Sequence, residues 1–322
     1  LSPATARVTL FRKRGPQWQR LVVEPEMLPI EAGGDAHDID GDGDPDLVLG
    51  EDSTGNKVYW WENPSPAFDP NIPWRRRLVK SDGANKHHDQ IFGDFDGDGR
   101  VELVFWNQGA NQLFSAPIPR NATQVDAWIR SRVFASPSES EGLARADIDA
   151  DGTADVIGGG RWFKSVGNGK LEVEIIDDAQ RFTRAAAGPL KRGGRPEVVF
   201  VVGDGFGRLK WYEWIDGRWL GHDLVGVDVD HGHTLQIADV NEDGSLDIFC
   251  AEMRLDGGNP DAKMWLFLGD GRGSFATTLI ATGLDNHESK LADLDGDGDL
   301  DIVGKPYNWQ TPRLDIWLNG RR

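Results

Sequence analysis

Five nine-residue loops repeat one spacing of oxygen-bearing side chains. Asp38, Asp40, Asp42 and Asp46 form the first set, and Asp94, Asp96, Asp98 and Glu102 the second. Asp147, Asp149, Asp151 and Asp155 follow, then Asp239, Asn241, Asp243 and Asp247, and finally Asp293, Asp295, Asp297 and Asp301. Each set occupies loop positions 1, 3, 5 and 9, with glycine at position 6. Carboxylate and amide oxygens gathered around a sharp glycine turn suit a hard, oxygen-seeking cation, so the spacing predicts about five Ca²⁺ sites. An EF-hand is excluded. Position 12, where that motif needs a bidentate Glu, holds Leu49, Phe105, Gly158, Cys250 or Gly304.

A sixth copy hides in the 92-residue interval between Asp147 and Asp239. Residues 189–197 keep the double glycine and the terminal acid, Glu197, but carry Pro189, Lys191 and Gly193 where ligands belong. This copy is expected to bind no ion. Aligning the six copies exposes a second pattern. Six residues before each loop stand Ala32, His88, Glu141, Thr183, His233 and His287. The scaffold tolerates Ala and Thr there, so three imidazoles and a carboxylate are not demands of the fold. Six of the seven histidines lie just before a loop: His37, His87, His88, His231, His233 and His287. Arg184 begins the segment that leads into the fourth copy. Glu51, Asn107, Arg161, Glu252, Arg254, Lys305 and Tyr307 follow the apolar segments after the loops. These residues are expected to line one mouth of a central channel.

Imidazoles beside Arg, Lys and Tyr suit β-elimination from a uronate. A cation neutralises the carboxylate, a base takes the C5 proton and an acid protonates the departing oxygen. His88, His233 and His287 are then the candidate acid–base groups, Arg184 and Lys305 the neutralising cations, and Tyr307 the second proton carrier. His87, Glu141, Arg161, Glu252, Trp309 and Asn107 are the expected substrate contacts. His88 leads, because His87 and Asp89 flank it and a neighbouring carboxylate fixes an imidazole's tautomer. Two other readings compete. His88, His233 and His287 with Glu141 can hold Zn²⁺, or the lining is a solvated mouth without chemistry. Paired carboxylates for glycoside hydrolysis, drawn from Glu51, Glu141, Glu252 or Glu288, fit by residue type, but no spacing selects a pair. No nucleophile elbow, phosphate loop or dinucleotide fingerprint occurs. Cys250 follows Ile248 and Phe249 and reads as core.

Composition narrows the partners. A net charge of -18 speaks against nucleic acid. Nineteen of the loop ligands are carboxylates, and five Ca²⁺ ions would bring the charge to -8, so the acidity is largely a metal requirement. The single cysteine excludes an intramolecular disulfide. Weak calcium loops fill where calcium is millimolar, which points to an extracellular or periplasmic home. No apolar run approaches the roughly 18 residues of a membrane span, so no membrane insertion is expected. Leu1 opens without a signal-peptide pattern, as in a mature chain, and a monomer is expected.

The element that must position these residues is a repeated β unit. Each loop runs into a short apolar segment, then a Trp-rich third segment and a fourth. Counting the sixth copy, successive units begin 56, 53, 42, 50 and 54 residues apart. That is the period of a propeller blade of four short strands. The reading is all-β: one β-propeller domain over residues 1–322, with six blades by motif count and the acidic loop between first and second strands. Residues 17–23 read as an orphan fourth strand that closes the last blade. Residues 5–30 exceed what one closing strand needs, which keeps seven blades open. Most of the 13 tryptophans, including Trp60, Trp61, Trp211, Trp265 and Trp317, fall on third strands, where packing between blades is their expected role. Trp106, Trp162 and Trp309 fall near second-strand ends and are the better ligand candidates.

The loops resemble those of the FG-GAP/VCBS repeat family, Ca²⁺-binding propellers that include the integrin α head and many secreted bacterial proteins. The resemblance covers nearly the whole chain and implies fold and metal, while leaving function open. The segments His87-His88-Asp89-Gln90, His231-Gly232-His233-Thr234 and residues 286–290 are similar to those of secreted propeller lyases acting on rhamnose–glucuronate linkages and on ulvan. That similarity implies a secreted polysaccharide lyase with a uronate-containing polysaccharide or oligosaccharide as partner. The rival from another class is a non-catalytic glycan- or protein-binding propeller, as the integrin-like relatives imply.

Overall fold

The computed structural model describes residues 6–15, 17–30, 33–167, 170–307 and 314–320. Runs of four to seven β-branched and aromatic residues between glycine turns favour short strands over helices. The chain divides into two compact units, residues 1–139 and 140–322. The first unit opens with β1 (Ala6–Arg14) and β2 (Gln17–Leu28). Its first blade is β3 (Asp35–His37), β4 (Asp46–Gly50), β5 (Val58–Glu62) and β6 (Arg75–Lys80). Its second is β7 (His87–Gly93), β8 (Glu102–Asn107), β9 (Gln112–Pro117) and β10 (Ser131–Ala135).

The second unit holds the other four blades. They are β11 (Ala144–Ala146) to β14 (Leu171–Ile175) through β12 (Asp155–Gly158) and β13 (Arg161–Ser165), and β15 (Thr183–Gly188) to β18 (Arg218–Asp230) through β16 (Glu197–Val202) and β17 (Phe206–Ile215). The fifth runs through β19 (Thr234–Ala238), β20 (Asp247–Ala251), β21 (Lys263–Gly269) and β22 (Phe275–Thr282). The last has β23 (Lys290–Ala292), β24 (Asp301–Gly304) and β25 (Asp315–Trp317). Each blade pairs its strands in chain order as an antiparallel meander. The fold class is therefore a six-bladed β-propeller, and the count among the described residues favours six over seven.

The strand expected near residues 17–23 is present as the longer β2. Among the described residues it pairs with β1, Phe11 opposite Arg20 and Arg14 opposite Gln17, and the sixth blade shows three strands. Val23, Leu28 and Ile30 pack against Tyr59, Trp61 and Trp74 of the first blade. Third-strand tryptophans behave as expected: Trp60, Trp61, Trp211 and Trp265 are buried within the blade cores. No helix among the described residues is long and apolar enough to cross a membrane.

The acid at loop position 9 proves to be a backbone latch. Asp46 accepts the Ile39 N–H at 3.0 Å and the Asn63 N–H at 2.7 Å, tying loop start to third-strand end. Asp155 repeats this with Ile148 and Ser165, and Asp301 with Leu294 and Asn319. Asp247 accepts three, from Val240, Asn241 and Gly269. Hydrogen bonds to a charged acceptor stabilise by about 1.5–3 kcal/mol each. The copy without ion ligands keeps the same device, since Glu197 accepts the Lys191 N–H at 3.0 Å. Its terminal acid survives because the blade corner needs it with or without an ion.

Candidate functional site

The acidic loops bring their side chains together. Ligand oxygens of Asp38, Asp40 and Asp42 lie within 4.8 Å of one another, as do those of Asp147, Asp149 and Asp155, and of Asp293, Asp295 and Asp297. Asp94 and Asp96 cluster with Glu102. Position 1 also braces the turn: Asp38 accepts the N–H groups of Gly41, Asp42 and Gly43. Like charges this close raise one another's pKa. Burial, then Asp42, pushes Asp40 up. Burial carries Asp46 to about 6 and Glu102 to about 7, against the pull of their backbone N–H donors. A divalent cation relieves this strain, so the donor sets fit Ca²⁺. Cationic side chains already serve two loops, Arg100 on Asp98 at 2.8 Å and Lys164 on Asp149.

A second cluster forms inside residues 140–322. The inner strands β11, β15, β19 and β23 are successive neighbours there, so residues at their starts converge. His233 and His287, both nearly fully buried, stack with ring centroids 4.4 Å apart and planes 24° from parallel. Arg184 on β15 donates through Nη2 to His233 Nδ1 at 2.7 Å. Lys305, just past β24, places Nζ 2.8 Å from His287 Nδ1. Tyr307 packs beside His287, with ring centroids 5.0 Å apart and planes tilted by 56°. Glu288 pairs with Arg184, and its Oε1 stands 3.8 Å from His233 Nδ1. Asp204, half exposed, lies 3.6 Å from His233 Nε2. Glu141, fully buried, completes a group with Asp204 and His233 whose ligand atoms fall within 4.8 Å.

The partner at Nδ1 decides what each imidazole can do. A guanidinium has no lone pair to offer, so His233 Nδ1 must accept, and its single proton rests on Nε2. A charged lysine imposes the same tautomer on His287. Both rings therefore present an N–H edge. Such an edge stabilises developing negative charge and does not act as a base. The cluster in this unit reads as a pair of cations backed by two neutral N–H donors and a phenol.

His88 is the opposite case. It lies on β7 in residues 1–139, and its Nδ1 is 3.0 Å from Asp89 Oδ2. A carboxylate there fixes the Nδ1–H tautomer and leaves Nε2 basic. His87 beside it is a structural residue. Fully buried, it takes Lys80 Nζ at 2.8 Å and Asn107 Nδ2 at 3.2 Å on Nε2 while Nδ1 donates to the Glu51 carbonyl at 3.0 Å. Burial, then Lys80, lowers His87 to about 4, and burial lowers Lys80 to about 8. His87 and Asn107, expected on substrate, are thus tied into a buried network.

Two more expected contacts are similarly engaged. Arg161 donates to the Gly159 carbonyl at 2.7 Å and to Asp178 at 2.9 Å. Glu252 accepts the N–H groups of Asp230 and Lys263 and the amide of Asn259. Glu51 is held alike by the Lys57 N–H and the Tyr59 hydroxyl. Trp106 and Trp162 are 1% and 3% exposed, which leaves no face for a sugar. Cys250 is core as expected, and burial pushes its thiol up. Trp309 lies outside the described residues.

Asp204 is the residue the sequence did not single out, whereas Asp89 was expected beside His88 and Glu288 was named only among candidate carboxylates. Asp89 and Glu288 share a backbone feature one position after the histidines. Residues 33, 89, 142 and 288 each stand five before a loop, and all four adopt positive φ, between 54° and 77°. Two are glycine, which takes that conformation freely. Asp89 and Glu288 hold it as non-glycine residues, an arrangement concentrated at functional positions.

Comparisons with known proteins agree with this architecture. A family profile described as FG-GAP-like repeat matches residues 38–105, 94–158 and 239–304. Comparison with curated proteins returned no match. Among solved structures, the biofilm matrix protein Bap1 of V. cholerae is similar at 15% identity and a TM-score of 0.51, covering 82% of this chain and 42% of that one. The rhamnogalacturonan lyase YesW aligns at 17% identity and a TM-score of 0.42, over 96% of this chain and 66% of that one. An exo-β-1,3-galactanase from Phanerochaete chrysosporium aligns at 11% identity and 0.44, over 85% and 74%. The chain thus spans less than two thirds of the first two. At such identities the likeness concerns the fold alone.

Proposed function

The chain belongs to the FG-GAP-like repeat family, and we propose that this member is a secreted, calcium-stabilised, carbohydrate-active enzyme that cleaves a uronate-containing glycan by β-elimination. One observation carries the reading: two stacked, buried imidazoles are each tied through Nδ1 to a cation, and one of them packs beside a tyrosine. A sugar carboxylate bound there meets Arg184 or Lys305, and charge developing on it as the C5 proton leaves is stabilised by fixed donors. Tyr307 is the proton carrier of this cluster. The His88–Asp89 dyad, in the other unit, has the tautomer of a general base. Ca²⁺ at the acidic loops is structural in this proposal, and the partner is a polysaccharide or oligosaccharide met outside the cytoplasm by a monomer.

The test is a panel of uronate polysaccharides with near-ultraviolet detection of the conjugated double bond that elimination creates. Rising absorbance with shortening chains supports the lyase. Saturable glycan binding without any product favours a non-catalytic binding propeller. That alternative rests on the same cluster, because cations and N–H donors hold a carboxylate whether or not a proton moves.

A further inference from the structure

We propose that Glu288 is a tethered competitor: its carboxylate holds Arg184 until the carboxylate of an anionic sugar displaces it. The inference rests on reading this cluster as an anion site and is independent of elimination. Glu288 Oε1 pairs with Arg184 Nη2, the donor that a ligand carboxylate would need, and stands 3.8 Å from His233 Nδ1. The residue is an internal copy of the ligand's own functional group.

Three observations favour a removable competitor over a fixed support. Arg184 is already anchored by its 2.7 Å hydrogen bond to His233 and is buried, so its position does not require Glu288. The other oxygen of Glu288 meets Lys290 at 3.1 Å, and that lysine is 58% exposed, a pairing that water readily replaces. The backbone at Glu288 is left-handed, φ 58°, where the first and third blades carry Gly33 and Gly142 in the same conformation. The turn asks for glycine, and the carboxylate is present despite that preference. A charge held in this way rejects neutral sugars, which cannot replace the ion pair, and admits carboxylate-bearing ones.

The experiment compares wild type, Glu288→Gln and Glu288→Gly by calorimetric titration with a glucuronate-bearing disaccharide and with its neutral glucose counterpart. Calcium and ionic strength are held constant. Glycine is native at this position in two sister blades, so that variant retains the fold, checked by its melting temperature. Both variants should bind the glucuronate ligand about tenfold or more tightly than wild type, because a desolvated charge pair no longer has to be broken. Binding of the neutral disaccharide should not tighten. Equal or weaker glucuronate binding in both variants overturns the proposal and makes Glu288 a support for Arg184. Absence of glucuronate binding in all three proteins overturns the anion-site reading together with it. Tighter binding without elimination product leaves the competitor standing and removes only the lyase.

Discussion

His87→Gln should flatten the acid side of the stability curve. In the native protein Nε2 of His87 accepts from Lys80 at 2.8 Å and its Nδ1 donates to a backbone carbonyl, with no part of the ring exposed. Protonation would set a second positive charge against Lys80 in a buried site, so the folded state resists it down to about pH 4, against an ordinary 6.5. The unfolded chain takes that proton near 6.5. The contribution is therefore complete above 6.5 and is lost as pH falls from 6.5 toward 4. Between pH 7.5 and 4.5 the loss amounts to about 2.5 kcal/mol. Glutamine keeps an acceptor for Lys80 and a donor for the carbonyl but cannot titrate. Asp46 and Glu102, raised to about 6 and about 7, contribute the opposite slope and are common to both proteins, so they cancel in the difference. Urea unfolding at matched pH values and fixed calcium measures it. Wild type should lose about 2.5 kcal/mol more than the variant over that range. Parallel curves would refute the reasoning.

Four further outcomes follow. Chelation should lower the melting temperature by about 10 °C or more if five loops each hold Ca²⁺ at tenfold excess over Kd, since each site then contributes about 1.4 kcal/mol. An unchanged melt, with calcium loss verified by elemental analysis, would count against bound calcium. Asp247→Ala should destabilise by about 3–5 kcal/mol, because three backbone N–H groups lose their acceptor. Glu197→Ala should cost about 1–3 kcal/mol equally in calcium and in chelator, whereas a calcium-dependent loss would contradict the latch. His88→Ala and His233→Ala should each reduce turnover by at least ~10² with calcium content unchanged. Full activity in both would return the protein to the binding-propeller reading.

The repeat family fixes the scaffold and leaves the chemistry to particular side chains, as expected where one fold hosts many functions. Loop position 9 shows how two demands can share a residue. The latch acids of the five acidic copies also belong to candidate donor sets by spacing, yet the copy that lacks the other ligands keeps Glu197 for a backbone hydrogen bond. Sequence spacing could not separate the two roles, because a carboxylate serves both.

The chain's own repetition determined a good deal. Five copies of one acidic spacing and a sixth eroded copy were enough for the propeller class and for the strand order within a blade, with six blades by direct count and seven left open, because these are local and recur with a fixed period. The same alignment singled out His88, His233 and His287, since a repeated scaffold reveals which residues it does not need. What only the tertiary structure decided was the state of each imidazole. His87 and His88 are adjacent in sequence, yet one is locked under Lys80 and the other carries Asp89. His233 receives its cation from a residue 49 positions away and His287 from one 18 positions away. Glu252, Arg161 and Asn107 read as ligand contacts by position and became structural once their partners were in place. Long-range hydrogen bonds set tautomer, charge and accessibility, and those are fixed when distant segments pack, not by the spacing of residues along the chain.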